Sequence, residues 1–315
     1  MSLAMVFPGQ GSQSVGMMGE LALRFSVVHS TFAEASSVLG YDLWQLTASG
    51  PLEQLNTTEC TQPAMLAAGV ATWRLWKEQG GATPTAVAGH SLGEFTALVC
   101  SGALDFAGTV ALVRDRGRFM QQAVPAGGGA MAAILGLDDA ATEAACAEAA
   151  QGEVVEAVNY NAPGQIVIAG QAGAVARAIA LAKARGAKRA LILPVSVPAH
   201  SSLLRNAALQ LQQRLAEVKI RTPDITYVSA VDAVEHQQPE DIRALLVRQL
   251  ASPVRWSATV PALTAHGATV LTECGPGKVL TALNRRIERR PEIICVAIED
   301  NATLHAALSA AGSAH

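Results

Sequence analysis

The sequence predicts an α/β protein, with a large domain on a mostly parallel sheet interrupted by a small inserted βαββαβ unit. Three observations carry this reading. Short apolar runs of strand length alternate with helix-length segments through the first part of the chain. Between Gly127 and Pro194 the order changes to strand, helix, strand, strand, helix, strand. After Pro194 the alternation of strands and helices resumes. The expected boundaries are 1–126 and 194–315 for the large domain and 127–193 for the insert. A chain of 315 residues can bury a deep core in such units. A composition 50% hydrophobic, 16% charged and 4% aromatic belongs to a folded protein, not a disordered one.

The elements follow in order. Residues 3–7 are an apolar run stopped by Pro8-Gly9, the pattern of a buried strand ending in a glycine-rich loop. Residues 62–79 read as a helix, with Pro63 suited to a first turn that does not need its N–H and Gly80-Gly81 suited to its end. A strand over 85–88 runs into Gly89-His90-Ser91-Leu92-Gly93, and helices over 94–100 (closed by Gly102) and 105–122 come next. The insert has strands at 130–135, 154–158, 165–169 and 189–193, and helices at 140–150 and 175–185. That order is the split-βαβ, ferredoxin-like arrangement, and Gly127-Gly128-Gly129 reads as the hinge into it. Beyond Pro194 come helices over 203–218 and 240–250 and strands over 225–228, 269–273 and 293–297. Alternation of this kind goes with a parallel sheet covered on both faces.

Charge and cysteine content exclude several classes of function. A net charge of -3 with scattered cations gives no basic field, so nucleic acid is not an expected partner. The cluster Arg285, Arg286, Arg289 and Arg290 reads as a solvated helix end, with an acidic protein partner as the alternative. The five cysteines are widely spaced and include no C-x-x-C pair, which argues for a reduced cytoplasmic compartment and against a zinc site. No basic residue precedes the short apolar run at the N-terminus, and no stretch reaches the roughly 18 apolar residues of a membrane span. Neither secretion nor membrane insertion is expected.

Gly89-His90-Ser91-Leu92-Gly93 is a G-x-S-x-G pattern between an expected strand and an expected helix. A sharp strand-to-helix turn would expose the Ser91 hydroxyl at the carboxyl edge of the sheet, with small residues letting the flanking backbone pass closely. The Leu92 N–H, at the helix start, would face a developing oxyanion. A serine needs a base, because its hydroxyl is not appreciably ionised near neutrality. Of seven histidines, His90 adjoins the serine and points elsewhere, His315 is terminal, and His29, His236, His266 and His305 sit in polar segments. His200 follows an apolar strand on a loop re-entering the large domain, so a base and a plain packed residue are both open for it. Asp232, Asp241, Glu273 or a backbone carbonyl could orient that base. Gly9-Gln10-Gly11-Ser12-Gln13 lacks the third glycine of a dinucleotide fingerprint, since Ser14 stands there, and Gly277-Lys278 lacks the earlier glycine of a P-loop. A second set of oxyanion N–H groups and a plain turn are its two readings.

These residues, with Asp115-Arg116-Gly117, Asn159-Tyr160-Asn161-Ala162-Pro163-Gly164-Gln165, Pro194-Val195-Ser196-Val197-Pro198-Ala199-His200-Ser201 and Gly275-Pro276-Gly277-Lys278-Val279-Leu280, resemble the malonyl-CoA:acyl carrier protein transacylases of bacterial type II fatty acid synthesis. The likeness runs in order along essentially the whole chain. It implies an α/β-hydrolase-like large domain with an inserted ferredoxin-like domain. It also implies that Ser91 is the nucleophile, His200 its base, the Gln249 carbonyl the group orienting that base, Gln10 and Leu92 the oxyanion donors, and Arg116 the malonyl-binding residue. Sequence alone does not separate Arg116 from Arg114 or Arg118. Asn161 is carried over as a further substrate-binding residue. Malonyl-CoA and acyl carrier protein are the implied partners of a cytoplasmic monomer, with no cofactor or metal. Phe95, where many relatives have tyrosine, and Cys274, in place of an aliphatic residue, are mild departures. Polyketide or malonate decarboxylase service, a serine hydrolase, and a non-catalytic carrier-binding protein are the competing readings.

Overall fold

The computed structural model describes residues 2–125, 127–195 and 197–312, so Ser196 and His315, both singled out above, and Ala126 at the expected boundary lie outside the described residues. Among the described residues there are ten strands: β1 (Leu3–Phe7), β2 (Ala86–Gly89), β3 (Gly129–Leu135), β4 (Val155–Ala162), β5 (Gln165–Gln171), β6 (Arg189–Ile192), β7 (Thr226–Val228), β8 (Glu235–His236), β9 (Val270–Cys274) and β10 (Ile294–Ile298). Six of them form one sheet in the order β10-β9-β1-β2-β7-β8. All its pairings are parallel except the antiparallel edge hairpin of β7 with β8. β1 lies in the interior of this sheet and all five of its residues are buried. That burial is why its sequence is a continuous apolar run with no polar alternation.

Helices cover the sheet. Thr58–Glu78 is the longest; it starts a turn earlier than the sequence reading placed it, so Pro63 sits in its second turn and not its first. Phe106–Gln122 opens where expected, because the Asp105 side chain accepts from the Gly108 N–H at 2.7 Å and caps it. Helices Gly19–Arg24, Ser26–Leu39, Leu43–Ser49, Leu52–Leu55, Trp256–Ala265, Val279–Ile287 and Asn301–Ala310 are further elements of the large unit. Arg285 and Arg286 lie in the last turn of Val279–Ile287, as a helix-end reading requires. Arg285 donates to the Cys295 carbonyl at 2.8 Å, and Arg286 to the Gln165 side chain and the Pro163 carbonyl.

The other four strands form a separate antiparallel sheet in the order β4-β5-β3-β6. Helices Asp139–Ala150 and Ala172–Ala184 lie between its strands in sequence. One face buries Ala132, Ile134, Ile166 and Ile168 with Val175 and Cys146 from the helices. The other presents Met131, Val158, Val167 and Ala169 to Leu193, Val195 and Ala199 on the segment leading back to the large unit. β4 joins the two units: Tyr160 N donates to the Val254 carbonyl at 2.9 Å and Val254 N to the Val158 carbonyl at 2.8 Å. Glu156, also on β4, accepts from Ser202 N at 2.7 Å and Ser202 Oγ at 2.8 Å. The loop that carries His200 is thereby fixed to the small sheet. No helix among the described residues is long and apolar enough to cross a membrane.

Candidate active site

β1 and β2 run parallel side by side, with Phe7 opposite Gly89, so the loops at their carboxyl ends emerge together. Ser91 follows β2 at φ 53°, in the left-handed region that a residue with a side chain rarely occupies. The neighbouring glycines make the turn possible. A Cβ on Gly89 would lie 1.9 Å from the Gly93 carbonyl carbon, and one on Gly93 would lie 2.0 Å from the Phe7 carbonyl oxygen. A Cβ on Gly9 would meet the His90 carbonyl oxygen at 2.4 Å, with Leu92 N 3.7 Å away. The Pro8–Gln10 loop therefore packs backbone to backbone against the elbow, and the amides of Gln10 and Leu92 belong to abutting turns.

His200 also has positive φ, 66°, and is buried. Its backbone N–H donates to the Leu250 carbonyl at 3.1 Å, which locks the loop to the end of helix Pro239–Gln249. Its Nε2 is 2.7 Å from Ser91 Oγ and its Nδ1 2.8 Å from the Gln249 carbonyl. A carbonyl only accepts, so Nδ1 carries the proton and Nε2 is the free base facing the hydroxyl. Burial, and next the positive charge of Arg116, lower the imidazole pKa to about 3. The ring is thus neutral at physiological pH. The carboxylates considered from composition are elsewhere: Asp232 pairs with His236 and Arg248, Asp241 is exposed, and Glu273 accepts from the Leu280 and Thr281 N–H groups at a helix start.

Arg116 projects from helix Phe106–Gln122 and is 1% exposed. Its Nη1 donates to Gln62 Oε1 at 2.8 Å; its Nη2 donates to Gln249 Oε1 at 2.8 Å and reaches Ser91 Oγ at 3.3 Å. Its Nε is buried without a partner. Among the described residues it has no ion pair with a carboxylate. Burial lowers its pKa to about 10, so it stays charged. Arg114 and Arg118, by contrast, are partly exposed and pair with Asp115.

A cavity of about 570 Å³ opens onto this group. Ser91, His200, Arg116, Gln10 and Leu92 line one side, and Met131 and Asn159 of the small sheet line the other. The structure thus brings together Ser91, His200, Arg116 and Gln249 by direct contact, with Gln10 and Leu92 at the same cavity. Asn161 is set apart. It is 9% exposed, and its Oδ1 is 2.9 Å from Nε2 of His90, whose ring tilts against Trp256 at 5.7 Å. Two contributors had no role assigned from sequence. Gln62, on helix Thr58–Glu78, carried no motif; Glu94 stood inside one, directly after Gly93.

A neutral imidazole on a serine hydroxyl, amides at the turn and a buried guanidinium beside them make an acyl-transfer site with a place for an anion. Comparison with known proteins agrees. A model of the acyl transferase domain matches residues 4–312. The chain is 54% identical over 306 residues to the malonyl CoA-acyl carrier protein transacylase of Salmonella typhimurium, covering 97% of this chain and 98% of that one. The protein of the same name from Bacillus subtilis is 44% identical, covering 97% of this chain and 96% of that one. The crystal structure of malonyl-CoA:acyl carrier protein transacylase from Xanthomonas oryzae superposes with a TM-score of 0.96 at 51% identity, covering 100% of both chains. A malonyl-transacylase solved in complex with a type II PKS acyl-carrier protein superposes with a TM-score of 0.96 at 52% identity, covering 98% of this chain and 99% of that one. The chain belongs to the malonyl CoA-acyl carrier protein transacylase family of acyl transferases.

Proposed function

We propose that the protein transfers the malonyl group of malonyl-CoA through Ser91 to the phosphopantetheine thiol of an acyl carrier protein, supplying fatty acid synthesis. One observation carries the choice of acyl group: the Arg116 guanidinium lies 3.3 Å from Ser91 Oγ, buried, and among the described residues its hydrogen bonds go to uncharged groups. A buried cation without a counterion is costly, and an acyl group bearing a free carboxylate supplies one. Ser91 Oγ attacks the thioester carbon as its proton passes to His200 Nε2. The oxyanion is held by the Gln10 and Leu92 amides. The carbon–sulfur bond then breaks, and coenzyme A leaves as the thiol with the proton from His200. The carrier thiol attacks the malonyl-serine by the same steps in reverse, which gives ping-pong kinetics.

Within this reading residues 127–193 are a ferredoxin-like insert in an α/β-hydrolase-like domain, which supplies the far wall of the acyl cavity. The strand order of the small sheet supports that description. Asn161 acts on substrate through His90, which lines the cavity. The protein works as a cytoplasmic monomer, and the chemistry needs no metal or redox cofactor. The test is the mass of the intact protein after incubation with malonyl-CoA. One malonyl adduct is expected on the wild type and none on Ser91→Ala, and addition of holo carrier protein should discharge it much faster than water does. Hydrolysis that the carrier does not outpace would indicate a hydrolase, and absence of an adduct would remove the nucleophile.

A further inference from the structure

Gln249 is the hub of the site. Its carbonyl fixes His200 Nδ1 at 2.8 Å, and its Oε1 accepts from Arg116 Nη2 at 2.8 Å. Its Nε2 donates to the Ser91 carbonyl at 2.9 Å and to Glu94 Oε2. A side-chain amide has two ends of nearly equal shape, so its direction is set by what surrounds it. Glu94 is 1% exposed, and its other oxygen, Oε1, accepts from Tyr227 Oη at 2.8 Å and from Ala230 N at 2.7 Å. The Ala230 and Gln249 nitrogens can only donate, so both carboxylate oxygens are held as acceptors.

We propose that Glu94 is a positioning residue for acyl selection: as a buried acceptor it joins the Ser91 carbonyl in fixing which end of the Gln249 amide faces Arg116, and so aims the guanidinium that reads the malonyl carboxylate. With the amide reversed, Gln249 would present N–H groups to the guanidinium and its oxygen to the Glu94 carboxylate and the Ser91 carbonyl, three repulsive contacts in place of three attractive ones. Glu94 does not line the cavity, and its hydrogen bonds go to Tyr227, Ala230 and Gln249 and not to Ser91 Oγ. Burial raises the Glu94 pKa and the hydrogen bonds from Gln249, Tyr227 and Ala230 lower it; in its ionised form it favours the protonated guanidinium of Arg116. This inference deepens the malonyl-transfer reading and rests on it.

The test compares the wild type, Glu94→Gln and Glu94→Asp for Ser91 acylation by malonyl-CoA and by acetyl-CoA. In Glu94→Gln the new amide keeps one oxygen on Tyr227 and Ala230 and turns its NH2 to the Gln249 NH2, so the contact that backs the Gln249 orientation becomes repulsive and the amide is displaced from Arg116. The expected result is a fall in kcat/KM for malonyl-CoA of roughly ten- to a hundredfold, the scale of one misdirected charge-assisted bond. Acetyl-CoA, without the carboxylate, should change less than about threefold on the same reasoning. Glu94→Asp keeps two acceptor oxygens and should retain most of the malonyl preference, which also covers the case of a Gln variant that fails to fold. Equal losses for both thioesters in Glu94→Gln, or an Asp variant whose preference has collapsed, would overturn the proposal. Failure of the wild type to take up malonyl at all would count against the function and not against Glu94.

Discussion

On the proposed reading, replacing Arg116 with alanine removes one contact to substrate and one perturbation of the base, and the two can be read separately. The guanidinium is 1% exposed and its Nη2 sits 3.3 Å from the hydroxyl that becomes acylated, so the malonyl carboxylate, two carbons along, falls within its reach. A charge-assisted hydrogen bond contributes about 1.5 to 3 kcal/mol, so kcat/KM for malonyl-CoA should drop about 10- to 150-fold. Acetyl-CoA leaves the guanidinium unpaired in the wild type and should lose little. Arg116→Lys keeps the charge but not the planar fork, and should restore only part of the malonyl rate. The second readout is pH. His200 is effective as a base above its pKa, which burial and then Arg116 hold at about 3. Single-turnover acylation should therefore stay level from about pH 8 to 5, and in Arg116→Ala the acid limb should move up by the part Arg116 contributes, with burial still holding it below the ordinary imidazole range near 6.5. Both readouts come from stopped-flow acylation with each thioester. Equal losses on malonyl- and acetyl-CoA, with no shift of the limb, would refute the reasoning.

Two other outcomes test the scaffold. Gly93→Ala puts a Cβ 2.0 Å from the Phe7 carbonyl oxygen, a backbone atom that cannot rotate away, so the elbow should separate from β1 at a cost of roughly 3 kcal/mol. A urea midpoint equal to that of the wild type would contradict the packing described. Glu273 is buried, and burial raises its pKa from 4.5 to about 7 despite the hydrogen bonds from Thr281 and Leu280. The folded state then holds this proton more tightly than the unfolded chain. Its stabilising contribution is complete below about pH 4.5 and is lost as pH rises to 7, a change of about 3 kcal/mol. Glu273→Gln should flatten the stability profile across that window, and an unchanged slope would show that another group titrates there.

What the sequence made legible was local. Residues 3–7 end as a strand where Pro8 and Gly9 stop them, and Ser91 was found because every feature of its turn lies within five consecutive residues. His200 was not decidable from its surroundings, since its partner Ser91 is 109 residues away and its orienting group is a main-chain oxygen with no side-chain signature. Arg116 had a signal that went unused. Leu112, Val113, Arg116 and Met120 are buried at helical spacing, which places Arg116 on the inward stripe, whereas Arg114 and Arg118 fall beside it. The segment 14–61 stayed unread because its helices are short and weakly marked: Gly19–Arg24 follows a left-handed Met18 with no side-chain cap, and Leu52–Leu55 is a single turn. Asn301–Ala310 could have been found, because Asp300 and Thr303 form a capping box.

The site's economy lies in leaving one charge incomplete. A guanidinium buried beside a neutral imidazole is held by the amide oxygens of Gln62 and Gln249, by the Phe95 ring 5.4 Å away, and at a distance by Glu94, which bonds to Gln249 and not to Arg116 itself. These dipoles keep Arg116 in place without neutralising it, and its residual field adds to burial, the larger cause, in making protonation of His200 unfavourable. When a substrate carboxylate pairs with Arg116, that field is cancelled in the step that also needs His200 to accept a proton from Ser91. On the proposed reading the correct acyl group would thereby strengthen the base that acts on it, and an acyl group without a carboxylate would meet the same residues with a weaker base. Selectivity in this arrangement should appear in the rate of acylation more than in thioester affinity. A malonyl preference confined to KM, with equal acylation rates at saturation, would separate the guanidinium from the imidazole and leave Arg116 as a binding residue alone.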